Sequence, residues 1–258
     1  MNWEYMLPDE DYNLYRRNIT LLEEQVVHHF PEFHQAPEIL AAIRNVPRHL
    51  FVNKSYRYMA YTDNAIPTFG GFTTSAPSVI AAMIYSVGIK KGEKLLEIGT
   101  GTGYEAAVLG ELGVHVFTIE LDKYLALQAN QILTLLGYKV EKNASDQHRV
   151  KASLTQYREM RKLFPNRGTI RLFLGNGQFG LEKCSPYKGI IVAASVPHLR
   201  YVDTLPSQLS DAGGRMVVPV GRRNEQSLYT VEKRKGRLHI SRLRGVSFDF
   251  IRLYHDPH

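Results

Sequence analysis

The segment Leu95-Leu96-Glu97-Ile98-Gly99-Thr100-Gly101-Thr102-Gly103-Tyr104 carries the sharpest chemical signature in the chain. An apolar run passes into three alternating glycines and then into a helix-prone stretch. Glycine adopts positive φ and lets a ligand approach the backbone closely. A turn at the carboxyl end of the first strand is where open α/β sheets bind ligands. A dinucleotide site needs Gly-x-Gly-x-x-Gly and a P-loop needs a following Lys; here the glycines are Gly99, Gly101 and Gly103, followed by Tyr104 and Glu105. The next apolar run, Val116–Ile119, ends in Glu120, about 20 residues beyond the glycines. A carboxylate at that strand end can accept both hydroxyls of a ribose. A third run ends at Leu174-Gly175-Asn176-Gly177, which brings a polar side chain to the same strand ends.

These residues need strands to carry them to one edge. From Lys94 onward short apolar runs (Leu95–Ile98, Val114–Ile119, Ile170–Leu174, Ile190–Ala194, Met216–Val220) alternate with helical candidates at 104–112, 123–136 and 201–210. That alternation marks a parallel α/β sheet. Two further strands, Gln226–Lys233 and Leu238–Val246, flank a hairpin-like break at Arg234–Arg237. Before the sheet, residues 11–30 read as a helix ended by Pro31, and a second helix starts at Pro37. Residues 47–75 read as a long structured loop region, and 76–88 as a helix with Pro77 near its start and Gly88 at its end. Residues 137–169, polar, basic and helix-prone after Ser153, read as an insertion between the second helix and the third strand. The expected organisation is an N-terminal helical and loop region (1–75) and a ligand-binding α/β domain (76–258), forming one compact unit.

Composition narrows the setting. The chain has 258 residues, 44% hydrophobic and 22% charged, ordinary for a folded globular protein. It holds no run of 18 apolar residues, so no membrane span is expected, and its first 30 residues lack the pattern of a secretory signal. The single cysteine, Cys184, excludes an internal disulfide and a cysteine-cluster metal site, which points to a reducing cytoplasm. Of the ten histidines, His28 and His29 lack partners at metal spacing and His34, His49, His198 and His255 are too scattered for zinc, and no metal is expected. Lys and Arg total 32 against 25 Asp and Glu, a formal charge of +7. The excess gathers in 149–167 and 215–252. A solvated basic face is the favoured reading and a nucleic-acid partner the less favoured one, because no aromatic-interleaved basic motif accompanies it.

Glu-x-Gly-x-Gly-x-Gly is the pattern of S-adenosyl-L-methionine-dependent methyltransferases, whose ligand has a zwitterionic amino acid tail and no phosphate. The chain further resembles the protein-L-isoaspartate O-methyltransferase family. The resemblance is carried by Val46-Pro47-Arg48-His49-Leu50-Phe51-Val52, by Tyr61-Thr62-Asp63-Asn64 leading to Thr73-Thr74-Ser75-Ala76-Pro77, by Ser185-Pro186-Tyr187 with Ile190–Pro197, and by Gln208-Leu209 with Gly213–Gly221. It spans roughly residues 36–246. It implies a Rossmann-like α/β fold: a mostly parallel, doubly wound sheet with N-terminal helices and a C-terminal antiparallel strand pair. It implies that Glu97, Gly99, Thr100, Gly101, Thr102 and Gly103 cradle the amino acid part of the cofactor. Glu120 would hold the ribose, with Asn176 and Gly177 beside the adenine. Ser75 matches the active-site serine, and Thr73 and Thr74 belong to the loop that meets the substrate carboxylate. The implied substrates are isoaspartyl-containing proteins or peptides, methylated for repair.

The chemistry agrees with that implication. A carboxylate acceptor has a free pKa of about 4 and is ionised at neutral pH, so it needs no general base, whereas an alcohol or amine usually does. The Thr73–Ser75 loop offers three hydroxyls, and no His, Asp or Glu occurs between Ala65 and Tyr85. The same hydroxyls could instead cap the helix that begins at Pro77. Three departures from the family pattern stand out: Asn176 where the family has Asp, Lys188 after Tyr187 where it has Asp, and His198-Leu199-Arg200 after Pro197 where it has a second proline. Lys188 and the 198–200 segment are expected near the rim of the site. They leave two alternatives beside the leading reading: the same fold acting on a small molecule, biosynthetic peptide or RNA, and a non-catalytic cofactor-binding homologue.

Overall fold

Leu95, Leu96 and Ile98 are at most 1% exposed, because a central parallel strand is covered on both faces. They belong to β3 (Lys94–Ile98) in the computed structural model, which describes residues 9–29, 31–68, 71–138, 140–142, 167–222 and 226–243. The remaining elements are α1 (Asp9–His29), α2 (Pro37–Asn45), β1 (Ile66–Pro67), β2 (Thr73–Thr74), α3 (Pro77–Val87), α4 (Tyr104–Glu111), β4 (His115–Glu120), α5 (Lys123–Leu135), β5 (Val140–Lys142), β6 (Ile170–Leu174), β7 (Gly189–Val192), β8 (Ala212–Val220), β9 (Ser227–Arg234) and β10 (Arg237–Arg242). β1 and β2 form a small antiparallel pair; the others make one sheet in the order β10-β9-β8-β7-β3-β4-β6-β5. Neighbours from β8 to β5 are parallel, and β9 and β10 add antiparallel strands at one edge. The order reverses at β3, with β4 on one side and β7 on the other, which makes the carboxyl end of β3 the ligand-binding crevice of such a sheet.

The period of two along each strand sorts the side chains. Leu96, Ile98, Phe117 and Ile119 join one apolar cluster with Ile190, Val192, Met216 and Val218. Leu95 and Val116 join the other, which includes Val108 and Leu109 of α4, Leu133 of α5, Ile80 and Ile84 of α3, and Leu22, Val26, Ile39 and Ile43 of α1 and α2. The N-terminal helices thus share the core that backs the sheet. Each fully buried aliphatic side chain contributes about 1.5–3 kcal/mol. By the same alternation Glu97, Thr118 and Glu120 face α4, with Glu97 and Thr118 directly paired across β3 and β4.

Several elements differ from the sequence reading. The helix expected at 201–210 is two 3-10 turns, Leu199–Val202 and Leu205–Gln208. Pro206 has no N–H to give to an α-helical ladder, so the chain breaks there. The described part of 47–75 includes the 3-10 turns Arg48–Phe51 and Lys54–Met59 besides the β1–β2 pair. The expected insertion carries a strand near its start: Val140–Lys142 extends the sheet beside β6. The rest of that insertion up to residue 166, and residues 244–246 of the last expected strand, lie outside the described residues. The hairpin between β9 and β10 closes through Lys235 and Gly236 with φ of 50° and 74°, the pair of positive values that a two-residue turn of matching twist requires.

Candidate active site

The turn after β3 is built by the backbone. Gly99 N donates to Ile119 O at 2.8 Å, Gly103 N to Thr100 O at 2.9 Å, and Ala193 N, beyond β7, to Ile98 O at 2.9 Å. The Thr100 and Thr118 hydroxyls meet at 2.5 Å. Gly101 has φ of 54° and no atom within 4 Å of where a Cβ would stand, so the space above it is open to a ligand. Gly103 has φ of 90°, and a Cβ there would press on Ala129 and Leu133 of α5 at 3.2 Å. The two glycines thus differ: Gly101 borders open space, whereas Gly103 is required by the packing of α4 on α5.

Three carboxyl groups, those of Glu97, Glu105 and Glu120, define the electrostatics. Glu120 accepts from Gly101 N at 2.7 Å through one oxygen and from Asp122 N at 2.9 Å through the other. Burial raises its pKa, and those backbone donors pull it back. Glu97 is fully buried, and neither of its oxygens has a hydrogen-bond partner of good geometry. Its pKa is raised well above the usual carboxylate value, first by burial and then by Glu105, against an opposing pull from the Thr118 hydroxyl; Glu120 adds to the rise. Glu105, in the first turn of α4, is also buried with Oε1 unpartnered, and burial pushes its pKa up to about 8. Thr102 Oγ1, between them in sequence, is buried and unpartnered. Buried polar atoms in native proteins are seldom left unsatisfied. A cluster of them beside an open glycine turn suits a cationic or hydrogen-bonding ligand, and an ammonium above all.

Asn176 follows β6 and is exposed; its Oδ1 accepts from Gln178 N at 2.9 Å. Gly177 is buried, and a Cβ there would meet Ile98 Cγ2 at 2.6 Å, so glycine lets this turn lie flat against the end of β3. Beyond β7, the buried Ser195 accepts from Gln226 Nε2 at 3.0 Å. Lys188 is not at the rim, contrary to expectation. It precedes β7, its N donates to Lys94 O and its Nζ to Ala212 O at 2.7 Å. All three residues stand at the amino ends of their strands, at the opposite edge of the sheet. The 198–200 departure does fall at the carboxyl end of β7.

The hydroxyl loop reaches the same region through a residue to which sequence reasoning gave no role. Arg48 is fully buried and donates to the carbonyls of Ala60 (2.9 Å), Thr62 (3.1 Å), Asn64 (2.8 Å) and Ser75 (3.0 Å). Its guanidinium lies 5.5 Å from the ring centroid of Tyr104, the residue after Gly103. Thr73 is exposed, Thr74 buried and Ser75 half-buried. These hydroxyls do not cap α3. Asp63 does so from a distance, its Oδ1 accepting from Ser78 N at 2.8 Å while its other oxygen pairs with His29 at 2.6 Å. A charged residue inside the largely apolar Val46–Val52 segment was the signal in the sequence that could have exposed Arg48. Glu105 was visible only as the residue after Tyr104.

The residues fit the zwitterionic cofactor on three observations of this structure: unpartnered buried carboxyls for an ammonium, a carboxylate at the end of β4 for a diol, and open space over Gly101. Among the described residues no helix is long and apolar enough to cross a membrane. The sequence model of the protein-L-isoaspartate(D-aspartate) O-methyltransferase family matches residues 20–253. The protein-L-isoaspartate O-methyltransferase of Dictyoglomus turgidum is 35% identical over 83% of this chain and 83% of its own length. Protein-L-isoaspartate O-methyltransferase 1 of Syntrophobacter fumaroxidans is 37% identical over 81% of this chain and 83% of its own. A solved protein-L-isoaspartate O-methyltransferase superposes with a TM-score of 0.67 at 25% identity, over 89% of this chain and 65% of that one. The fold is also that of a Plasmodium falciparum structure described as a protein-L-isoaspartate O-methyltransferase and holding S-adenosyl-L-homocysteine, with a TM-score of 0.65 at 18% identity, over 92% of this chain and 98% of that one. With the glycine turn, the acidic strand end and the hydroxyl loop in place on a shared fold, this chain belongs to the protein-L-isoaspartate(D-aspartate) O-methyltransferase family.

Proposed function

We propose that this chain methylates the free carboxylate of L-isoaspartyl residues in proteins and peptides, with Ser75, Thr73 and Thr74 holding the acceptor and the Gly99–Gly103 turn holding S-adenosyl-L-methionine. The observation that carries the acceptor assignment is the Thr73–Ser75 loop. Its hydroxyls are released from helix capping by Asp63, and Arg48 ties it to the residue beside the glycine turn. The cofactor supplies an electrophilic methyl group on a sulfonium. Glu97, with Glu105 behind it, takes the ammonium of the amino acid tail. Glu120 keeps acceptor capacity beyond its bonds to backbone donors and offers it to the ribose. Asn176 and Gly177 flank the adenine. The protein's task is alignment and exclusion of water. The acceptor arrives ionised, so the loop needs donors and no base. Asp63, the acid of this segment, is already engaged with Ser78 and His29.

Methylation turns the isoaspartyl carboxylate into an ester with a good leaving group. Attack by the neighbouring backbone nitrogen closes a succinimide with loss of methanol, and hydrolysis returns part of the material as normal aspartate. We place the protein in the cytoplasm on its single cysteine, half-buried and without a disulfide partner. The test is methyl transfer to matched isoaspartyl and aspartyl peptides by wild type and Ser75→Ala. The reading expects label on the isoaspartyl peptide alone and a slower variant; equal labelling of both peptides contradicts it.

A further inference from the structure

We propose that Arg48 is a positioning residue for methyl transfer: its guanidinium clasps the base of the β1–β2 ribbon and, through the Ser75 carbonyl, sets where the Ser75 hydroxyl stands over the glycine turn. This rests on the reading that Ser75 holds the acceptor. One terminal nitrogen donates to Asn64 O and Ser75 O, at 2.8 and 3.0 Å. Those residues flank the β1–β2 segment on its two sides, so one nitrogen closes the ribbon where the chain enters and leaves it. The other nitrogen fixes Ala60 O and Thr62 O, the approach to the ribbon. The ring of Tyr104 beneath the guanidinium, packed in turn on Phe51, carries the clasp to the start of α4. Acceptor loop and cofactor turn are therefore referenced to the same rigid cation.

The choice of residue supports the assignment. A buried cation is costly unless its surroundings compensate it. Among the described residues no carboxylate stands within ion-pair distance of Arg48; carbonyls from two chain segments surround it, and the nearby Asp63 carboxylate favours its charge. A planar fork of donors in fixed directions suits that arrangement, whereas an ammonium is a single point with freely rotating donors. Lysine at 48 keeps the charge and loses the geometry, which separates positioning from electrostatics.

The test measures turnover of an isoaspartyl peptide, its KM, and calorimetric affinity for S-adenosyl-L-homocysteine in wild type, Arg48→Lys, Ser75→Ala and the double variant, each confirmed folded by near-ultraviolet circular dichroism. Arg48→Lys is expected to lower kcat about tenfold or more and to leave cofactor affinity within about threefold, since misplacing a reacting group costs rate more than binding. Ser75→Ala is expected to cost little further in the Arg48→Lys background, because the two residues act in series. Wild-type kcat in a folded Arg48→Lys, or the full Ser75→Ala loss on both backgrounds, overturns the inference. Wild-type turnover in Ser75→Ala would instead overturn the reading it rests on. If Arg48→Lys does not fold, the unaltered chain decides, in a crystal structure with S-adenosyl-L-homocysteine and an isoaspartyl peptide. The Ser75 carbonyl should remain on the guanidinium while its hydroxyl meets the peptide carboxylate; a Ser75 carbonyl released from Arg48 in that complex overturns the inference.

Discussion

The carboxylate of Glu120, at the end of β4, accepts a hydrogen bond from the backbone N–H of Gly101 at 2.7 Å. The bond spans the two strand ends and ties the middle glycine of the turn to the group assigned to the ribose. Glu120→Ala removes both the diol acceptor and this tie. It should weaken S-adenosyl-L-homocysteine binding by about 1.5–3 kcal/mol, the range for hydrogen bonds to a charged group. Calorimetry settles the point, and affinity within about twofold of wild type would remove Glu120 from the ribose site.

Gly101 and Gly103 should respond differently to the same change. Both occupy the left-handed region, but a methyl at Gly101 meets open space in the protein and one at Gly103 meets Ala129 and Leu133. Gly101→Val should abolish cofactor binding with a melting loss limited to backbone strain, about 1–2 kcal/mol. Gly103→Val should lower the melting temperature further, because α4 must move off α5. Paired thermal melts and titrations test this; retained cofactor binding in Gly101→Val would contradict the assignment of the turn.

Stability of the cofactor-free protein should fall as pH rises. The folded-state pKa of Glu105, about 8, lies above the ordinary 4.5, and Glu97 shifts in the same direction. Stability associated with protonated Glu105 is fully present below about pH 4.5 and is lost as pH passes through about 8, and Glu97 contributes in the same sense. Glu105→Gln should therefore raise the melting temperature more at pH 9 than at pH 5, by about 2–4 °C for each kcal/mol of relieved burial. An equal gain at both pH values would show that Glu105 is already ionised in the fold.

Asn176 already uses its side-chain oxygen to cap the turn at Gln178. Asn176→Asp strengthens that acceptor and offers a charge to the adenine amino group, a step of about 1 kcal/mol. Cofactor affinity should rise by about tenfold or less. A hundredfold gain would mark the natural chain as a poor cofactor binder and favour a non-catalytic homologue.

The cofactor half of the site was legible because its signals are local. The glycine spacing, the acid at the end of the next apolar run and the period of two sufficed to bring Glu97, Glu120 and the turn to one edge and one face. The acceptor half was less legible, because its contacts join main chain to distant side chains. Arg48 reaches carbonyls 12 to 27 residues away, and carbonyls have no residue type. The cap of α3 comes from Asp63, 15 residues before the N–H it serves, whereas local reasoning looked to the adjacent hydroxyls. Lys188 was placed at the wrong edge because its position depends on strand direction relative to the site. The helix expected at 201–210 failed on Pro206, whose missing N–H outweighed the apolar spacing.

The most direct measurement of the central claim is the alkali lability of the transferred methyl group. Wild-type protein is incubated with methyl-tritiated S-adenosyl-L-methionine and either an isoaspartyl peptide or its aspartyl counterpart, then treated with mild base, and volatile methanol is counted. The account predicts base-labile label on the isoaspartyl peptide and none on the aspartyl one. Base-stable label would contradict a carboxylate acceptor, and base-labile label on both peptides would contradict the specificity.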